Sequence, residues 1–582
     1  MFKDLDFILN NLEGLNKKIF FLFILTIFGT ILETLSIGLI FPLLKIILEG
    51  SDILKLSGTS FQFIEDFKSI LLNLSYEKLI LLFLFFILTV FFLKTIFFIF
   101  FVWTQNKFAY EVESLIGKKL LKYYFNQNYN FHLNKNSSEL LRNIVDEIKI
   151  FRVNIINSFL ILLVEIMIVL FISGLLIYIV SFETILIILF IFLIVIFYSK
   201  LNKSKIISLG AHRQNEDALR IRHLKQGLDG IKEIKISGNE NEFLKLFDKH
   251  NKKSVKAKAE QQFWVGIPRH IIESVGVLAF VLITVYAIMS GVEVKSYLPV
   301  LGLFGAAAFK LLPSASKIIQ SINNIRYGGP SLTLLAEEIK QINIQDKKKI
   351  KINEKISIIN FESLQFNEVD FKYANSTSLV LKKINMNINK GDKIAISGIS
   401  GSGKSTLVDL ISGLAEPSNG KILLNNKIVN LNDKNWLNQV GYVPQKTFLT
   451  DDTVEKNITF GEKELLFNNS KLKEIISLVE LDEFLENDRK KLKLNVGEFG
   501  DRLSGGQRQR IGIARALYSK FQILILDEAT SALDFKTESK VLENICNYMK
   551  EKTLIIISHR SSSFKSCNKI YEIKDGVLSL NK

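Results

Sequence analysis

Six long apolar stretches dominate the first 330 residues of the chain. Each is close to the roughly 20 residues that a helix needs to cross the hydrocarbon core of a bilayer. They cover residues 19–44, 79–103, 154–180, 184–198, 267–289 and 297–322. The first stretch is too long for a signal-peptide core and contains Glu33, so we expect an uncleaved membrane anchor. The pattern predicts an α-helical domain of six membrane spans over residues 1–330.

Basic residues indicate which ends of these spans face the cytoplasm. Fifteen Lys and Arg residues lie in residues 200–258, and residues 107–149 are also rich in Lys. Residues 49–78 carry more acidic than basic side chains. Because short loops rich in Lys and Arg stay on the cytoplasmic side, both chain termini are predicted to be cytoplasmic.

The two basic segments are too polar to enter lipid and are predicted to extend the spans as helices. Each contains a helix-breaking region, at residues 126–136 and at residues 227–238. Two helical hairpins should therefore project into the cytoplasm, where their turns could dock on another part of the protein. The alternative is that both are simply solvated hairpins.

The composition agrees with a membrane protein. Of the 582 residues, 48% are hydrophobic and 23% are charged, which argues against a soluble, disordered or fibrous chain. Membrane topology accounts for much of the net charge of +16, so we expect no nucleic-acid partner. The two cysteines, Cys546 and Cys567, show no metal-binding spacing and indicate no disulfide framework.

A soluble domain is predicted to follow the membrane domain. Residues 331–357 are predicted to be a linker because residues 341–355 are strongly polar, and the soluble domain should occupy residues 358–582. Runs rich in β-branched residues alternate there with a helical pattern, in the order 393–397 (strand), 405–412 (helix), 522–526 (strand) and 553–557 (strand). This alternation predicts an α/β domain with a largely parallel sheet.

A phosphate-binding pattern joins the first of these strands to the helix. It consists of Gly398, Ile399, Ser400, Gly401, Ser402, Gly403, Lys404 and Ser405, followed by Thr406. Glycines let successive backbone N–H groups approach a polyphosphate, and the helix N-terminus adds a positive dipole. Lys404 is expected to contact the β- and γ-phosphates, and Ser405 to ligate Mg²⁺. The alternative is an ordinary glycine turn.

Two adjacent carboxylates follow the apolar strand at residues 522–526. Asp527 could hold Mg²⁺, and Glu528 could polarise the water that attacks a γ-phosphate. Strands often end in acidic turns, so the pair alone is weak evidence. In a domain with a phosphate-binding loop, it indicates nucleotide hydrolysis.

A second glycine-rich helix start lies between these two motifs. It reads Leu503, Ser504, Gly505, Gly506 and Gln507, and it also suits a phosphate. The segment resembles the LSGGQ signature of the ATP-binding cassette (ABC) family, and the motifs above resemble that family's Walker A and Walker B elements. In that family the signature closes over the nucleotide held by the other domain of a dimer. The alternative is a glycine loop without such a partner.

The resemblance extends to single residues. It implies that Tyr373 stacks on adenine, that Gln445 is the Q-loop residue that senses Mg²⁺, and that Asp534 belongs to the D-loop. His559 matches the switch histidine that contacts the γ-phosphate. Residues 495–500 resemble the exporter X-loop, with asparagine at the first position where threonine is commoner.

Six spans followed by one cassette resemble the half-transporter plan of ABC exporters over nearly the whole chain. The resemblance implies that the breaks at residues 126–136 and 227–238 are coupling helices, and that ATP and Mg²⁺ are the cofactors. Because both cassette motifs are intact, a homodimer with two ATP sites is expected. A paralogue in place of one chain stays open.

Features of the spans and of the first external loop indicate the substrate. Residues 61–74 have one apolar helical face, and with residues 33–42 they resemble the bacterial lipid-linked oligosaccharide flippases of the PglK type. Glu33, Glu165 and Lys310 fall near the middle of three spans, where ionisable groups are functional candidates. Lys310 could attract a lipid diphosphate, or it could form a structural ion pair with either glutamate.

The expected function is ATP-driven translocation of a lipid-linked oligosaccharide or related amphipathic lipid to the outer leaflet of a bacterial inner membrane. A peptide or drug exporter of the same family and an ATP-gated channel are the alternatives. No extracellular binding domain or peptidase module stands before the first span, so we expect neither solute-binding-protein import nor leader-peptide cleavage. For residues 61–74 the alternative is a lid that packs on the neighbouring helix.

Overall fold

The computed structural model describes residues 2–49, 75–179, 183–289, 294–350, 360–373, 376–428, 431, 434–462, 467–485, 492–560 and 564–581. The chain forms two compact units. The helical unit comprises Met1–Gln127 and Lys135–Lys351, and the sheet unit comprises Asn128–Asn134 and Ile352–Lys582. The predicted amphipathic segment at residues 61–74 lies outside the described residues.

Long helices make up the described part of the helical unit. In chain order the helices are α1 (Phe2–Asn10), α2 (Asn16–Gly38), α3 (Ile40–Glu49), α4 (Tyr76–Phe125), α5 (Tyr129–Asn134, which belongs to the sheet unit), α6 (Ser137–Arg142), α7 (Ile148–Ile150), α8 (Ser158–Ile179), α9 (Glu183–Asp229), α10 (Ile231–Ser237), α11 (Glu240–Met289), α12 (Val294–Tyr327) and α13 (Gly329–Ile350). Two π-helical segments, Asn143–Glu147 and Phe151–Asn157, flank α7.

Nearly all of the described residues of the six predicted spans lie in these helices or in the second π-helical segment, and residue 180, the end of the third span, lies outside the described part. Among the described residues, the stretches Asn16–Leu44, Tyr76–Phe125 and Ser137–Tyr178 are long and apolar enough to cross a membrane. They contain most or all of the first three predicted spans. The other three fall in α9, α11 and α12. The number of membrane crossings stays a prediction.

Each of the two predicted helix-breaking regions contains a short helix of its own. The first contains α5, and α6 begins immediately after Asn136, whose side chain accepts a hydrogen bond from the Ser138 N–H at 2.9 Å. The second contains α10, which ends at Gly238. Gly238 has a φ of +67°, in the left-handed region that favours glycine, so the helix stops there.

The segment predicted as a linker, residues 331–357, is helical as far as Ile350 in α13. Its first part buries an apolar face made of Leu332, Leu335, Ala336 and Ile339. These residues follow the spacing of one helical face, and their burial within the helical unit outweighs the polar character of the residues that follow. The linker prediction is therefore corrected for residues 331–350, and residues 351–357 lie outside the described part.

A buried ionic cluster joins α9, α13 and the first π-helical segment. Arg213 and Glu147 are both fully buried, and Arg213 Nη1 lies 2.7 Å from Glu147 Oε1. Ser331 Oγ donates to Glu147 Oε2 at 2.5 Å and accepts from Arg213 Nη2 at 3.1 Å. Gln214 Nε2 also donates to this carboxylate, at 3.1 Å. Because a buried charge needs partners, these contacts specify which helix faces meet.

Ten strands and the remaining helices form the described part of the sheet unit. The strands are β1 (Ser363–Phe371), β2 (Leu381–Asn389), β3 (Lys393–Gly398), β4 (Asn419–Leu424), β5 (Lys427–Ile428), β6 (Val440–Val443), β7 (Ile523–Asp527), β8 (Thr553–Ile557), β9 (Lys569–Lys574) and β10 (Val577–Leu580). The helices are α14 (Lys404–Ser412), α15 (Lys434–Leu437), α16 (Val454–Thr459), α17 (Asn469–Leu478), α18 (Asp482–Leu485), α19 (Gly505–Tyr518) and α20 (Phe535–Tyr548), with a 3₁₀ turn at Glu498–Gly500.

The strands form two sheets. The larger has the order β10-β9-β3-β8-β7-β6, parallel from β9 to β6 and closed by antiparallel β10. This confirms the predicted parallel α/β domain. The smaller, β2-β1-β4-β5, is antiparallel and was not predicted. Strands β7 and β8 are buried on both faces, as their uninterrupted apolar sequences require.

We expect Arg213→Met to destabilise the helical unit, because it removes the nearest cation of the buried Glu147 carboxylate and leaves it, among the described residues, only the more distant Arg142, at 3.9 Å. Removing one partner of a buried pair typically costs about 3–5 kcal/mol. The midpoint of thermal unfolding of the purified chain should fall clearly. Lys245→Met is the matched control, because the Lys245 and Glu242 side chains are 72% and 67% exposed and such pairs contribute less than about 1 kcal/mol. Equal shifts in the two variants would contradict the role given to the buried cluster.

Candidate functional site

The phosphate-binding loop connects the carboxyl end of β3 to the N-terminus of α14. Gly398, Gly401 and Gly403 have φ values of +151°, +80° and +107°. A Cβ atom at Gly398 would lie 2.5 Å from the carbonyl oxygen of Ile573, and one at Gly403 would lie 2.8 Å from Leu381 Cδ2. The loop therefore requires glycine at positions 398 and 403 for both conformation and space, and at position 401 for conformation alone.

Two side chains of the loop are suited to a polyphosphate. The hydroxyl of Ser402 is buried and has no hydrogen-bond partner among the described residues. The ammonium of Lys404 donates to the carbonyl oxygens of Gly398 and Ile399, both at 2.9 Å. An unsatisfied buried hydroxyl costs free energy that a phosphate oxygen could recover. The loop therefore fits the triphosphate of ATP, with Ser400 and Ser405 exposed at its surface.

The predicted adenine-stacking residue lies beside this loop. The Tyr373 hydroxyl is 3.0 Å from Thr406 Oγ1, which joins the tyrosine to the first turn of α14. Its ring packs edge-on against Phe371, at 5.1 Å between centroids. Tyr373 remains 38% exposed, so part of the side chain is open to a ligand.

The three predicted catalytic residues meet in one cluster. Gln445 Nε2 donates to Glu528 Oε2 at 2.6 Å, and His559 Nε2 lies 3.0 Å from Glu528 Oε1. Gln445 follows β6, Glu528 follows β7 and His559 follows β8, so three adjacent parallel strands deliver them to one edge. Glu528 has a φ of +48°, which is uncommon for a residue other than glycine and is typical of functional positions.

The carboxylates next to this cluster are in surroundings suited to a divalent cation. Burial, and then the charge of Glu528, raises the pKa of Asp527, which accepts a hydrogen bond from the Tyr442 hydroxyl at 3.4 Å. Burial, and then the charge of Asp527, raises the pKa of Asp409 to about 6. Both ionised groups would be stabilised by Mg²⁺. The donor set predicted for the metal is Ser405, Gln445 and Asp527.

The signature segment forms the start of α19. Ser504 Oγ accepts from the Gln507 N–H at 3.2 Å, and Gln507 Oε1 accepts from the Ser504 N–H at 2.8 Å, a capping box. Ser504 is exposed. A Cβ atom on Gly505 would be 3.4 Å from Ala532 Cβ, and one on Gly506 would be 3.2 Å from Leu533 Cδ2, so the D-loop packs against both glycines.

Asp534, at the end of the D-loop, is the N-cap of α20. Its Oδ1 accepts from the Thr537 N–H at 3.0 Å, and hydrogen bonds from Thr537 lower the pKa of its carboxyl group. Gln509, which sequence reasoning missed, holds the D-loop from α19. It donates to Ser531 Oγ at 3.0 Å and accepts from the Ala532 N–H at 2.8 Å. A polar residue on the buried face of α19 was the available signal.

The two phosphate-binding segments of one chain are not joined by hydrogen bonds in the described structure. Among the hydrogen bonds of the described residues, none joins residues 504–507 to residues 398–406.

The X-loop is ordered locally, because Asn495 Oδ1 accepts from the Gly497 N–H at 2.7 Å. Asparagine therefore forms a turn of its own at this position, where threonine was expected to be commoner.

The ionisable residues within the predicted spans form ion pairs. Lys310 Nζ lies 3.0 Å from Glu33 Oε1, and Lys317 Nζ lies 2.7 Å from Glu165 Oε1. Lys310 therefore takes part in an ion pair with Glu33, one of the two partners considered. Lys94 Nζ reaches the same Glu33 oxygen at 3.4 Å.

Comparison with known proteins gives the family. Residues 381–531 match the ABC transporter family, and residues 19–297 match the ABC transporter transmembrane region. The chain belongs to the ABC transporter family. An exporter-type transmembrane domain followed by an ATP-binding domain confirms the predicted fold class, and the ATP-binding domain confirms the prediction of an ABC-type ATPase.

Several curated proteins resemble part of the chain. The alpha-hemolysin translocation ATP-binding protein HlyB of Escherichia coli O157:H7 is 40% identical over 37% of this chain and 30% of its own length. The toxin RTX-I translocation ATP-binding protein of Actinobacillus pleuropneumoniae is 34% identical over 47% of this chain and 38% of its own length. The chain therefore spans well under half of the length of these relatives.

A solved ABC exporter has the same fold over nearly the full length. It is a bacterial Atm1-family ABC exporter with ATP bound, with a TM-score of 0.78, a coverage of 97% of this chain and 95% of that chain, and 18% sequence identity. At this identity the likeness concerns the fold alone.

We expect Glu528→Gln to retain ATP binding and to lose most ATP turnover. Removing the group that polarises the attacking water raises the barrier by several kcal/mol, on the order of 10²-fold or more in rate. ATP binding and phosphate release should be measured on the same preparation. Glu551→Gln, at an exposed position of the same domain, is the matched control. Turnover close to that of the control would refute Glu528 as the base.

Proposed function

We propose that two copies of the chain form an exporter of a bacterial inner membrane that couples hydrolysis of two ATP molecules to translocation of an amphipathic substrate. The observation that carries the ATPase part is the convergence of Gln445, Glu528 and His559 on one sheet edge. The phosphate-binding loop follows β3, a strand of the same sheet. This is the arrangement that phosphoryl transfer to water needs, namely positioning together with electrostatic stabilisation.

Each residue of the site has a distinct proposed role. Lys404 and the backbone N–H groups of residues 398–403 bind the phosphates, and Tyr373 stacks on the base. Ser405, Gln445 and Asp527 ligate Mg²⁺, which neutralises phosphate charge. Glu528 accepts a proton from the attacking water. Gln445 holds its carboxylate through a hydrogen bond of 2.6 Å, and His559 lies within ion-pair distance of it, at 3.0 Å.

We also propose that α5 and α10 are the coupling helices and that both termini are cytoplasmic. The grouping of Asn128–Asn134 with the sheet unit supports this for α5. Burial, and then the charges of Asp409 and Tyr373, raises the pKa of Tyr129 in α5. Tyr129 is therefore close enough to Asp409 of α14 and to Tyr373, the proposed adenine-stacking residue, to interact with them electrostatically. Movement of α5 would change these interactions at the ATP site.

The dimer is proposed because the phosphate-binding loop and the signature of one chain make no hydrogen bond to each other. Completing each ATP site with Ser504 of a second copy gives two equivalent sites. ATP hydrolysis would then require formation of the dimer, since neither chain alone holds a full set of phosphate contacts.

Mixed dimers test this arrangement directly. We expect a dimer of one Lys404→Ala chain and one Ser504→Arg chain to retain roughly half of the ATPase activity of wild type, because both defects fall in the same site. A dimer of wild type with a chain carrying both substitutions has one defect in each site and should be nearly inactive. Differently tagged chains, purified in tandem, allow the two measurements. The reverse ranking would show that each site is completed within one chain.

For the substrate we propose a lipid-linked oligosaccharide or a related amphipathic lipid, moved to the outer leaflet. Its glycan cannot cross hydrocarbon unaided, because each hydroxyl that loses its hydrogen bonds costs up to several kcal/mol. The mid-span charges around Glu33 and Lys310 support a polar path. A polypeptide substrate is the second candidate, because two curated relatives are named for the translocation of alpha-hemolysin and of toxin RTX-I. No observation favours an ATP-gated channel.

We expect proteoliposomes of the chain to transfer a labelled lipid-linked oligosaccharide to the opposite leaflet only when ATP is present. The measurement is the fraction of label that becomes accessible to a glycosidase on that side. Proteoliposomes with the Glu528→Gln chain are the control, because their membrane domain is unchanged. Transfer of an amphipathic peptide, with no transfer of the glycolipid, would favour the second candidate and refute the flippase.

A further inference from the structure

Two lysines share one carboxylate near the middle of the predicted spans. Lys310 Nζ on α12 lies 3.0 Å from Glu33 Oε1 on α2, and Lys94 Nζ on α4 lies 3.4 Å from the same oxygen. Lys94 also donates to Ser36 Oγ at 3.1 Å. Among the residues that the structure describes, no second carboxylate lies within ion-pair distance of either ammonium. The cluster of Glu33, Lys94 and Lys310 therefore carries one uncompensated positive charge.

A second ion pair in the predicted spans does not share this imbalance. Lys317 on α12 lies 2.7 Å from Glu165 on α8, one ammonium to one carboxylate. The Glu165 side chain is almost fully buried, at 5% exposure, while Lys317 is half exposed. Charges at membrane depth can therefore be balanced within this unit, so the excess at Glu33 needs a separate explanation.

The uncompensated charge borders an open groove of about 530 Å³. The three charged side chains line its polar part, and Phe98, Ile99 and Val102 of α4 line its apolar part. Thr95, also in the lining, donates its hydroxyl hydrogen bond to the Phe91 carbonyl oxygen. The volume lies in the range of about 300–1,000 Å³ found for sites that hold small organic ligands. The groove thus combines a positive end with an apolar wall.

We propose that this groove binds the anionic head group of an amphiphile, with Lys310 and Lys94 at the anion and Phe98, Ile99 and Val102 at the apolar chain. An unbalanced charge at this depth is costly, and one bound anion would make the cluster neutral. A zwitterion would bring no net charge, and a cation would be repelled. Phosphate, sulfate and carboxylate head groups all satisfy this requirement. The proposal rests on the proposed function only in assuming that the helical unit handles an amphiphile.

The first test compares dodecyl phosphate with dodecylphosphocholine, two probes that share an alkyl chain and differ in net charge. The equilibrium affinity of each probe is measured for the full-length chain in phosphatidylcholine nanodiscs without ATP. We expect the alkyl phosphate to bind at least about tenfold more tightly than the zwitterion. The attraction between two opposite charges shielded from water exceeds the roughly 1.4 kcal/mol to which a tenfold difference in affinity corresponds. A photoreactive alkyl phosphate should label α4 or α12. Equal affinities for the two probes would overturn the proposal.

Charge variants separate this site from general binding to the membrane domain. Lys310→Met and Lys94→Met each leave one lysine paired with Glu33, so each should abolish the preference for the phosphate probe. Glu33→Gln removes the compensating charge and should strengthen that preference. Lys317→Met is the matched control on α12 and should keep it. Thermal unfolding in the same nanodiscs identifies any variant that fails to fold, and each of the two lysine variants is an independent test. A preference that survives in both lysine variants would overturn the proposal.

Inorganic diphosphate distinguishes an amphiphile site from a site for soluble anions. It should displace the alkyl phosphate only at a concentration at least about tenfold higher, because it lacks the apolar chain that the groove buries. Displacement at equal concentration would overturn the assignment to amphiphiles. A chain that binds the alkyl phosphate here and moves no lipid-linked oligosaccharide would refute the proposed flippase and leave the anion site standing.

Discussion

One geometric constraint underlies the ATP site, namely that adjacent parallel strands end at the same edge of a sheet. Gln445 and Glu528 are 83 positions apart in the chain, yet their side chains are joined by a hydrogen bond of 2.6 Å. No local interaction could produce this contact. It exists because β6 and β7 are neighbours in register, with Val443 opposite Leu526, and because each residue follows its strand closely. The sheet must form before any of the chemistry can.

The buried carboxylates at this sheet edge are unfavourable when ionised in the chain alone, and a bound metal ion and nucleotide would stabilise their charged forms. The folded pKa of Asp409, about 6, lies above its ordinary value of 3.8. The folded state therefore binds this proton more tightly than the unfolded state does, and the ionised carboxyl group destabilises the fold increasingly as the pH rises from 3.8 to 6. Asp527 is shifted in the same direction. In the phosphate-binding loop, the buried Ser402 hydroxyl has no hydrogen-bond partner among the described residues. Carboxylates that need a cation thus lie near a loop that needs an anion, which suits a nucleotide bound with its metal.

The sequence predicted the elements that depend on a local pattern of residues, and it did not predict those that depend on which other element a strand or helix packs against. The predicted strand at residues 553–557 matches β8 completely, and β3 and β7 agree to within one residue, because buried parallel strands are uninterrupted apolar runs. The phosphate-binding loop was found because its chemistry demands fixed spacing, whereas Tyr373, Gln445, Asp534 and His559 were found through the resemblance to the ABC family. The antiparallel sheet was missed because its strands β1 and β2 alternate buried and exposed residues and lack the uninterrupted apolar runs of the parallel strands. Helix α13 was missed because the polar residues after 340 hid the apolar face before them.

The charged residues in the middle of the spans show again that the sequence alone does not determine which residues become partners. Sequence placed Glu33, Glu165 and Lys310 near mid-membrane but could not decide which lysine each glutamate would meet, since that depends on how α2, α4, α8 and α12 pack. The result is one balanced pair and one shared carboxylate. Because Glu33 contacts lysines from two other helices, it joins α2, α4 and α12. An anion in the groove would compete with Glu33 for both ammoniums and weaken those ties. Occupancy of such a site would therefore affect the packing of the same helices that an exporter has to move.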